Sequence, residues 1–274
     1  MKKLLFLIFI ITFIACSNIR VGTIIIRIEG SYTMLRLTEA LAAEYMKANN
    51  SVSIYVRGGG TAVGIKSLAA GSVDICTASR TLKSDEVRQL AENYGTIGIS
   101  YLIAKDALSI YLNPENPVKN IKLTDLKKIF ICKIINWKEI GGNEAPINLI
   151  IRPPNSGTHF YFREHVLEGE NYCSSALIKE SLDGVIEEVS GSINAIGYGG
   201  IGSSELVAHV AIDGVIPSEE NIINDKYPIT RYLYFYTIKN PQGHVRDFIE
   251  WTISPEGQKV VKNSGFVPLW NIKY

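Results

Sequence analysis

The stretch that decides the fold is residues 24–33, IIIRIEGSYT, in which an apolar run ends at Gly30 and hydroxyl-bearing residues follow. The run predicts a strand over 24–29, and the pattern after it predicts a helix from Tyr32 to about Lys47. The same order returns further along, with a predicted strand over 51–57 and a predicted helix over 61–70. Strands that alternate with helices predict an α/β protein whose mostly parallel sheets are covered by helices.

Three predicted strand-to-helix junctions have nearly the same chemistry: residues 30–33, GSYT; residues 58–61, GGGT; and residues 155–158, NSGT. A helix N-terminus favours an anion, because it has free backbone N–H groups and the positive end of the helix dipole. Arg152, just before the third junction, adds donors suited to a tetrahedral oxyanion. One such junction alone is typical of an ordinary helix cap. Three junctions without an acid, together with an arginine, indicate an anion site at the ends of the strands.

The N-terminus has the pattern of an export signal. Lys2 and Lys3 precede an apolar run that is too short for a membrane-spanning helix and ends at Cys16. Cys16 resembles the lipid-carrying cysteine of a lipoprotein, so we expect residues 1–15 to be removed as a lipoprotein signal peptide. Phe13 stands where such signals prefer leucine, and the alternative is an ordinary signal peptide with an incidental cysteine. Either interpretation predicts an exported protein, and the first anchors it by lipid on the periplasmic side of the cell membrane.

The composition gives no sign of nucleic-acid or metal binding. The net charge of the 274 residues is +1, and it becomes −1 without Lys2 and Lys3. Four scattered histidines and no Cys-x-x-Cys spacing argue against a metal site, and we expect no cofactor. Beyond Cys16 there are three cysteines, which leave room for one disulfide bridge at most. They are Cys76, Cys132 and Cys173, of which Cys76 lies in an apolar run and is predicted to be buried.

These motifs together resemble the PstS-type phosphate-binding protein of the bacterial Pst phosphate-uptake transporter. The resemblance runs from about Ile26 to Leu269. It rests on motifs in a fixed order: GS at 30–31, GGGT at 58–61, GIK at 64–66, VD at 73–74, ASR at 78–80, INW at 135–137, GG at 141–142, Arg152, SGT at 156–158 and AIGY at 195–198.

The family implies two lobes with the ligand cleft between them and a chain that crosses between the lobes twice. We expect the crossings near 107–112 and 231–237, so that residues 21–107 and 231–274 form one lobe and residues 108–230 the other. The resemblance further implies a monomer without catalytic residues. Such a protein binds inorganic phosphate with high affinity and delivers it to the membrane permease and ATPase subunits of an ABC importer.

The resemblance also implies that both lobes supply phosphate ligands. They are Ser31, Tyr32, Thr33, Thr61 and Ser79 from the first lobe, and Arg152, Ser156, Gly157 and Thr158 from the second, with Gly60 and Arg80 as further candidates. Tyr32 replaces a serine or threonine of many members, so we expect only its backbone N–H to take part. Pro153 and Pro154 replace polar residues, so any acidic partner of Arg152 must come from elsewhere. Arg80 has two interpretations, a second cation in the cleft or a surface residue at the end of a strand.

Ser79 stands where some family members have an aspartate, and this bears on selectivity. Phosphate near neutral pH keeps a proton that it can donate, and sulfate does not. A carboxylate would accept that proton and repel sulfate, whereas a serine hydroxyl accepts without repelling. Another tetrahedral oxyanion, sulfate or molybdate, is therefore the second ligand to consider.

Two further classes of function stay open. An enzyme for phosphorylated substrates would need a nucleophile with a base, or a metal cluster, and the three junctions contain no His or Cys. His159 and His165 lie on one predicted helix at a spacing unsuited to shared metal ligation, and we expect them to be exposed or hydrogen-bonded. A surface adhesin or sensor with the same fold is the other class, because a fold does not fix a function.

Overall fold

The computed structural model describes residues 23–202 and 205–270; the predicted signal peptide and Cys16 lie outside them. Within these ranges the strands are β1 (Ile24–Gly30), β2 (Val52–Gly58), β3 (Ile75–Ala78), β4 (Ile99–Leu112), β5 (Asn120–Ile121), β6 (Asn148–Ile151), β7 (Leu177–Ile178), β8 (Ala195–Gly200), β9 (Ala208–His209), β10 (Ala211–Ile212) and β11 (Thr230–Thr237). The helices are α1 (Leu35–Ala48), α2 (Thr61–Ala69), α3 (Ser84–Tyr94), α4 (Leu123–Phe130), α5 (Gly157–His165), α6 (Leu182–Ser190), α7 (Glu219–Ile223), α8 (Gly243–Ile253) and α9 (Pro255–Asn263).

One mixed sheet runs through the molecule in the order β2-β1-β3-β11-β4-β8-β6-β7, and β9 pairs with β4. The outer strands of each half are parallel, as in β2-β1-β3 and β8-β6-β7. The two central strands β4 and β11 are antiparallel to each other. This direction follows from the chain path, because the chain passes between the halves once outward on β4 and once back on β11.

Strand β4 belongs to both halves of the sheet. Its residues up to Ala107 pair with β11, and from Leu108 onward they pair with β8. We call the half with β1, β2, β3 and β11 the first lobe and the half with β6, β7 and β8 the second lobe. Each lobe has its own core, around Leu37, Phe235 and Phe248 in the first and around Phe130, Phe162 and Tyr198 in the second.

The local sequence explains how the helices begin and end. Ser254 caps α9 by accepting a hydrogen bond from the N–H of Gly257, Pro255 is the first helical residue, and Gly265 follows the helix with a φ of +80°. The helix predicted from Tyr32 begins instead with a 3-10 turn at Tyr32–Met34, and α1 starts at Leu35. In the described ranges, no helix has the length and apolar character needed to cross a membrane.

The structure pairs two of the cysteines. Cys132 and Cys173 form a disulfide in the second lobe with their Cα atoms 5.4 Å apart, and Cys76 is a buried free thiol. The sequence left open whether two of the three cysteines are bridged, and the structure has one bridge. It closes a loop between the end of α4 and the segment after α5.

Candidate functional site

The predicted ligands follow the carboxyl ends of parallel strands. Ser31 follows β1, Ser79 follows β3, and Arg152 follows β6. Because these strand ends face each other across the two lobes, the residues after them line the space between. The side chains there are almost completely buried, each at most 4% exposed: Ser31, Thr33, Thr61, Ser79, Arg152, Ser156 and Thr158.

The hydroxyl groups of Thr61 and Ser79 face the start of α5. Thr61 Oγ1 lies 3.4 Å from Ser79 Oγ and accepts a hydrogen bond of 3.2 Å from the N–H of Ser79. A Cβ atom placed on Gly157 would overlap Thr61 Oγ1 and lie 2.6 Å from Ser79 Oγ. Glycine is therefore required at position 157, because only a residue without a side chain lets the second lobe come this close.

Further contacts join the junctions. Thr33 Oγ1 and Thr158 Oγ1 lie 2.9 Å apart. The carbonyl of Asn155 accepts a 3.1 Å hydrogen bond from the N–H of Ala62, at the start of α2. Gly60 has a φ of +92°, and a Cβ atom there would lie 2.9 Å from the same carbonyl. The three junctions singled out in the sequence thus meet between the lobes.

Arg152 is buried and has no carboxylate partner in the described part of the chain. Its Nε donates to the carbonyl of Lys179 over 3.1 Å and its Nη2 to the carbonyl of Glu180 over 2.6 Å. The sequence left the acidic partner of Arg152 unassigned, and in the structure two peptide carbonyls bond to the side chain instead of an acid. Burial lowers the pKa of Arg152, but a guanidinium group keeps its charge in proteins. No hydrogen bond joins its Nη1 group to a described residue.

The side chain of Tyr32 lies between the lobes, whereas the sequence predicted a contribution from its backbone N–H only. Its ring occupies the place that a Cβ atom on Gly58 would need. The Arg152 guanidinium carbon lies 5.4 Å from the centre of the ring. This cation–π contact joins the lobes, because Tyr32 belongs to the first and Arg152 to the second.

The structure supports neither interpretation of Arg80 in full. Its side chain is 4% exposed, and its guanidinium group forms a two-point pair with Glu86, at 2.8 and 2.7 Å. It also lies 5.2 Å from the centre of the Phe160 ring. Arg80 is therefore not a surface residue, and its charge is neutralised by an acid of its own lobe.

Sequence reasoning missed Asp106 and Arg231, which form a buried pair where β4 and β11 cross between the lobes. Arg231 Nε donates to Asp106 Oδ2 over 2.9 Å, and Arg231 Nη1 donates to Thr158 Oγ1 over 3.0 Å. Nη2 lies 2.8 Å from Asp106 Oδ2 but makes no hydrogen bond. Burial raises the pKa of Asp106, while the pairing with Arg231 opposes that shift. The site therefore has an acid, although the three junctions have none.

A signal for this pair was present in the sequence. Asp106 interrupts the apolar run of β4, and Arg231 stands at the start of the second predicted crossing. A charged residue in the middle of a buried strand requires a partner, and the register of β4 and β11 places these two residues opposite each other.

A sheet divided by two crossing strands, with a buried cationic cleft at the strand ends, defines a two-lobed solute-binding protein. The family model of the PBP superfamily domain matches residues 20–256. The phosphate-binding protein PstS of Bacillus subtilis is 31% identical over 250 residues, which cover 90% of this chain and 81% of that protein. The chain therefore belongs to the PBP superfamily and, within it, to the family of PstS phosphate-binding proteins.

Solved structures confirm the predicted fold class. A phosphate ABC transporter substrate-binding protein with bound phosphate from Clostridium perfringens is 31% identical and has a TM-score of 0.84, covering 90% of this chain and all of that one. An ABC-type phosphate transport receptor from Vibrio cholerae is 27% identical with a TM-score of 0.72, covering 88% and 99%.

Proposed function

We propose that this protein binds inorganic phosphate in the cell envelope and delivers it to an ABC importer. The observation that carries the proposal is the meeting of buried donors from both lobes around Thr61, Ser79 and Gly157. In this proposal the backbone N–H groups at the start of α5 and the guanidinium group of Arg152 supply the donors of the second lobe. Charge-assisted hydrogen bonds of this kind contribute roughly 1.5–3 kcal/mol each. The names of the relatives point to the same ligand.

The balance of charge supports an anion. Of the three buried arginines near the cleft, Arg80 is paired with Glu86 and Arg231 with Asp106. Arg152 has only uncharged carbonyl partners among the described residues. The cleft therefore keeps about one positive charge. An anion can bind to Arg152 without first displacing a carboxylate from it.

The same charges support phosphate over sulfate. The hydroxyls of Thr61 and Ser79 can accept the proton that phosphate carries near neutral pH. Asp106 lies close by: a Cβ atom on Gly200 would lie 3.1 Å from both its oxygens and 3.1 Å from Thr33 Cγ2. Arg231 balances its charge, so Asp106 offers the cleft a nearby carboxylate acceptor, which favours an anion that has a proton to donate.

Closure of the lobes completes the site in this proposal. We assign residues 21–107 and 231–274 to the first lobe and residues 108–230 to the second, supported by the change of β4 from β11 to β8 after Ala107. We further propose export after removal of residues 1–15, a lipid anchor on Cys16, and docking of the monomer on permease and ATPase subunits. The export pattern in the sequence supports the signal peptide and the anchor, and the name of the Clostridium perfringens relative supports an ABC transporter as the partner.

The direct test is calorimetric titration of the purified, ligand-stripped protein with phosphate, sulfate and molybdate at several pH values. We expect phosphate to bind with strong discrimination against sulfate. Arg152→Ala should abolish binding, because the only buried cation without an acidic partner in the described cleft is lost. Arg246→Ala, which removes a half-exposed arginine of α8, is the matched control and should bind normally. Equal affinities for phosphate and sulfate would contradict the phosphate assignment and leave a general oxyanion site.

Hydrolysis of phosphate esters is poorly supported by the geometry. The hydroxyl of Ser156 accepts a hydrogen bond from the backbone N–H of His159, whereas the ring Nδ1 of His159 bonds to the carbonyl of Arg152. In the described part of the chain, Ser156 thus has no histidine ring bonded to its hydroxyl as a base. Hydrolysis of p-nitrophenyl phosphate by pure protein, abolished in Ser156→Ala, would restore the enzymatic alternative.

A further inference from the structure

The peptide groups of Arg152 are bonded on both sides by side chains of the second lobe. The N–H of Arg152 donates to the hydroxyl of Tyr198 over 3.3 Å. The carbonyl of Arg152 lies 2.6 Å from Nδ1 of His159. A carbonyl only accepts, so Nδ1 carries the proton and the ring donates.

Tyr172 joins these two contacts into a closed hydrogen-bond ring. Its hydroxyl donates to the carbonyl of His159 over 2.9 Å and accepts from the hydroxyl of Tyr198 over 3.0 Å. The ring therefore runs in one direction, from the N–H of Arg152 through Tyr198, Tyr172 and His159 back to the carbonyl of Arg152. Each tyrosine hydroxyl donates once and accepts once, so the network is consistent throughout.

The sequence around Arg152 explains why such a ring is needed. Pro153 and Pro154 have no N–H groups, so two of the three residues between Arg152 and Ser156 cannot donate backbone hydrogen bonds. The N–H of Ser156 bonds to the carbonyl of Pro153, which closes the turn but does not tie it to the rest of the lobe. The hydrogen-bond ring makes that connection.

The disulfide holds the most distant member of the ring. Tyr172 lies in a segment without regular secondary structure and directly precedes Cys173, which is bonded to Cys132. The N–H of Cys173 also donates to the carbonyl of Phe130 at the end of α4, over 2.8 Å. The Tyr172 ring lies against the ring of His159, with centroids 4.3 Å apart.

We propose that His159, Tyr172 and Tyr198 are positioning residues for the phosphate site. They fix Arg152 relative to the start of α5, so that the guanidinium group and the Ser156–Thr158 backbone bind the same ligand. None of the three is proposed to touch phosphate. This inference rests on the proposed function.

The test is calorimetric titration with phosphate of the wild-type protein and Tyr172→Phe, with thermal unfolding of each. Loss of one hydrogen bond from the ring should weaken phosphate binding about tenfold. Tyr227→Phe is the matched control, because its hydroxyl also donates to a backbone carbonyl of the second lobe, that of Leu108 at 3.3 Å. Tyr227→Phe should keep the wild-type affinity even where its melting temperature falls.

Substitutions of His159 separate positioning from packing. His159→Leu removes the donor to the Arg152 carbonyl and should weaken binding at least tenfold. His159→Asn can place an amide N–H near the position of Nδ1 and should recover most of that affinity. If the wild-type protein binds phosphate and Tyr172→Phe binds it with an affinity within twofold of the wild type, this inference alone is overturned. Failure of the wild-type protein to bind phosphate would instead overturn the proposed function and this inference with it.

Discussion

Arg231 donates a hydrogen bond of 3.0 Å from Nη1 to the hydroxyl of Thr158, and this contact joins strand β11 to the first turn of α5. Thr158 Oγ1 in turn lies 2.9 Å from Thr33 Oγ1 on the first lobe. Asp106 accepts from Nε of the same guanidinium group. A buried ion pair thus fixes the hydroxyls of the cleft where the chain crosses between the lobes.

Asp106→Asn should change both stability and selectivity. Loss of one partner of a buried ion pair leaves the other uncompensated, and we expect a loss of about 3–5 kcal/mol in the free energy of unfolding. The uncompensated Arg231 should also raise the affinity for sulfate relative to phosphate. Denaturant unfolding and paired titrations measure the two effects. Asp183→Asn, which removes an exposed partner of Arg36, is the control. An unchanged ratio of affinities would show that Asp106 has no part in selectivity.

Tyr32→Ala should weaken phosphate binding by about tenfold, because the cation–π contact with Arg152 contributes roughly 0.5–2 kcal/mol. Tyr32→Phe keeps the aromatic face and should bind nearly as well as the wild-type protein. Titration calorimetry of both variants decides the point. Equal losses in the two variants would assign the effect to the hydroxyl and not to the ring.

Gly157→Ala should abolish phosphate binding, with an expected loss of at least a hundredfold. The added methyl group would collide with Thr61 Oγ1 and Ser79 Oγ, so the lobes could not close on a ligand. Gly184→Ala is the control, because outside its chain neighbours and its own helix backbone the nearest atom to its Cβ would be the side-chain Oγ of Ser181, at 3.3 Å. Small-angle X-ray scattering with and without phosphate should show compaction in the control and none in Gly157→Ala. Normal affinity in Gly157→Ala would contradict the closed geometry of the site.

Replacement of Cys132 and Cys173 by serine should lower the free energy of unfolding by about 4 kcal/mol, the chain-entropy value for a loop of this length. Urea unfolding with and without reductant is the measurement. The wild-type protein should lose stability on reduction, and the double-serine variant should not respond. A wild-type midpoint that is insensitive to full reduction would contradict the expected stabilisation.

The pH dependence of stability should include a contribution from His159. Burial lowers the pKa of this histidine to about 4 in the folded protein, and the nearby cations Arg152, Lys83 and Arg163 add to that shift. The hydrogen bond to the carbonyl of Arg152 opposes it, and the neighbouring ring of Tyr172 is uncharged in this range. The unfolded chain binds a proton near pH 6.5, so stability is full above that pH and falls as pH drops toward 4.

The loss in this window should be at most about 3 kcal/mol. Urea midpoints at half-unit steps of pH should show it in the wild-type protein and not in His159→Asn, which has no titrating group at this position. Equal slopes for the two proteins between pH 6.5 and 4 would contradict the assignment.

Patterns within short stretches were enough to predict much of this protein. The strand at residues 24–30, the capped helix after Ser254 and the chemistry of the three junctions all depend on neighbours within a few residues. An anion site at these junctions could be proposed from the sequence because helix N-termini attract anions whatever the rest of the fold does. The carbonyls of Lys179 and Glu180 that hold Arg152 could not be predicted, because backbone carbonyls occur at every residue and carry no sequence signal.

The sequence by itself determined the α/β class, because local propensity and hydrophobic pattern depend on near neighbours. It also identified the family, through motifs in a fixed order, and it predicted which residue types would bind an anion. Only the tertiary structure decided which charges are paired. Asp106 and Arg231 are 125 residues apart, and the register of two antiparallel strands places one beside the other. The hydrogen-bond ring at Arg152 likewise joins the residue after strand β6 to a strand, a helix and a disulfide-tethered loop, whose closeness depends on how the whole lobe packs.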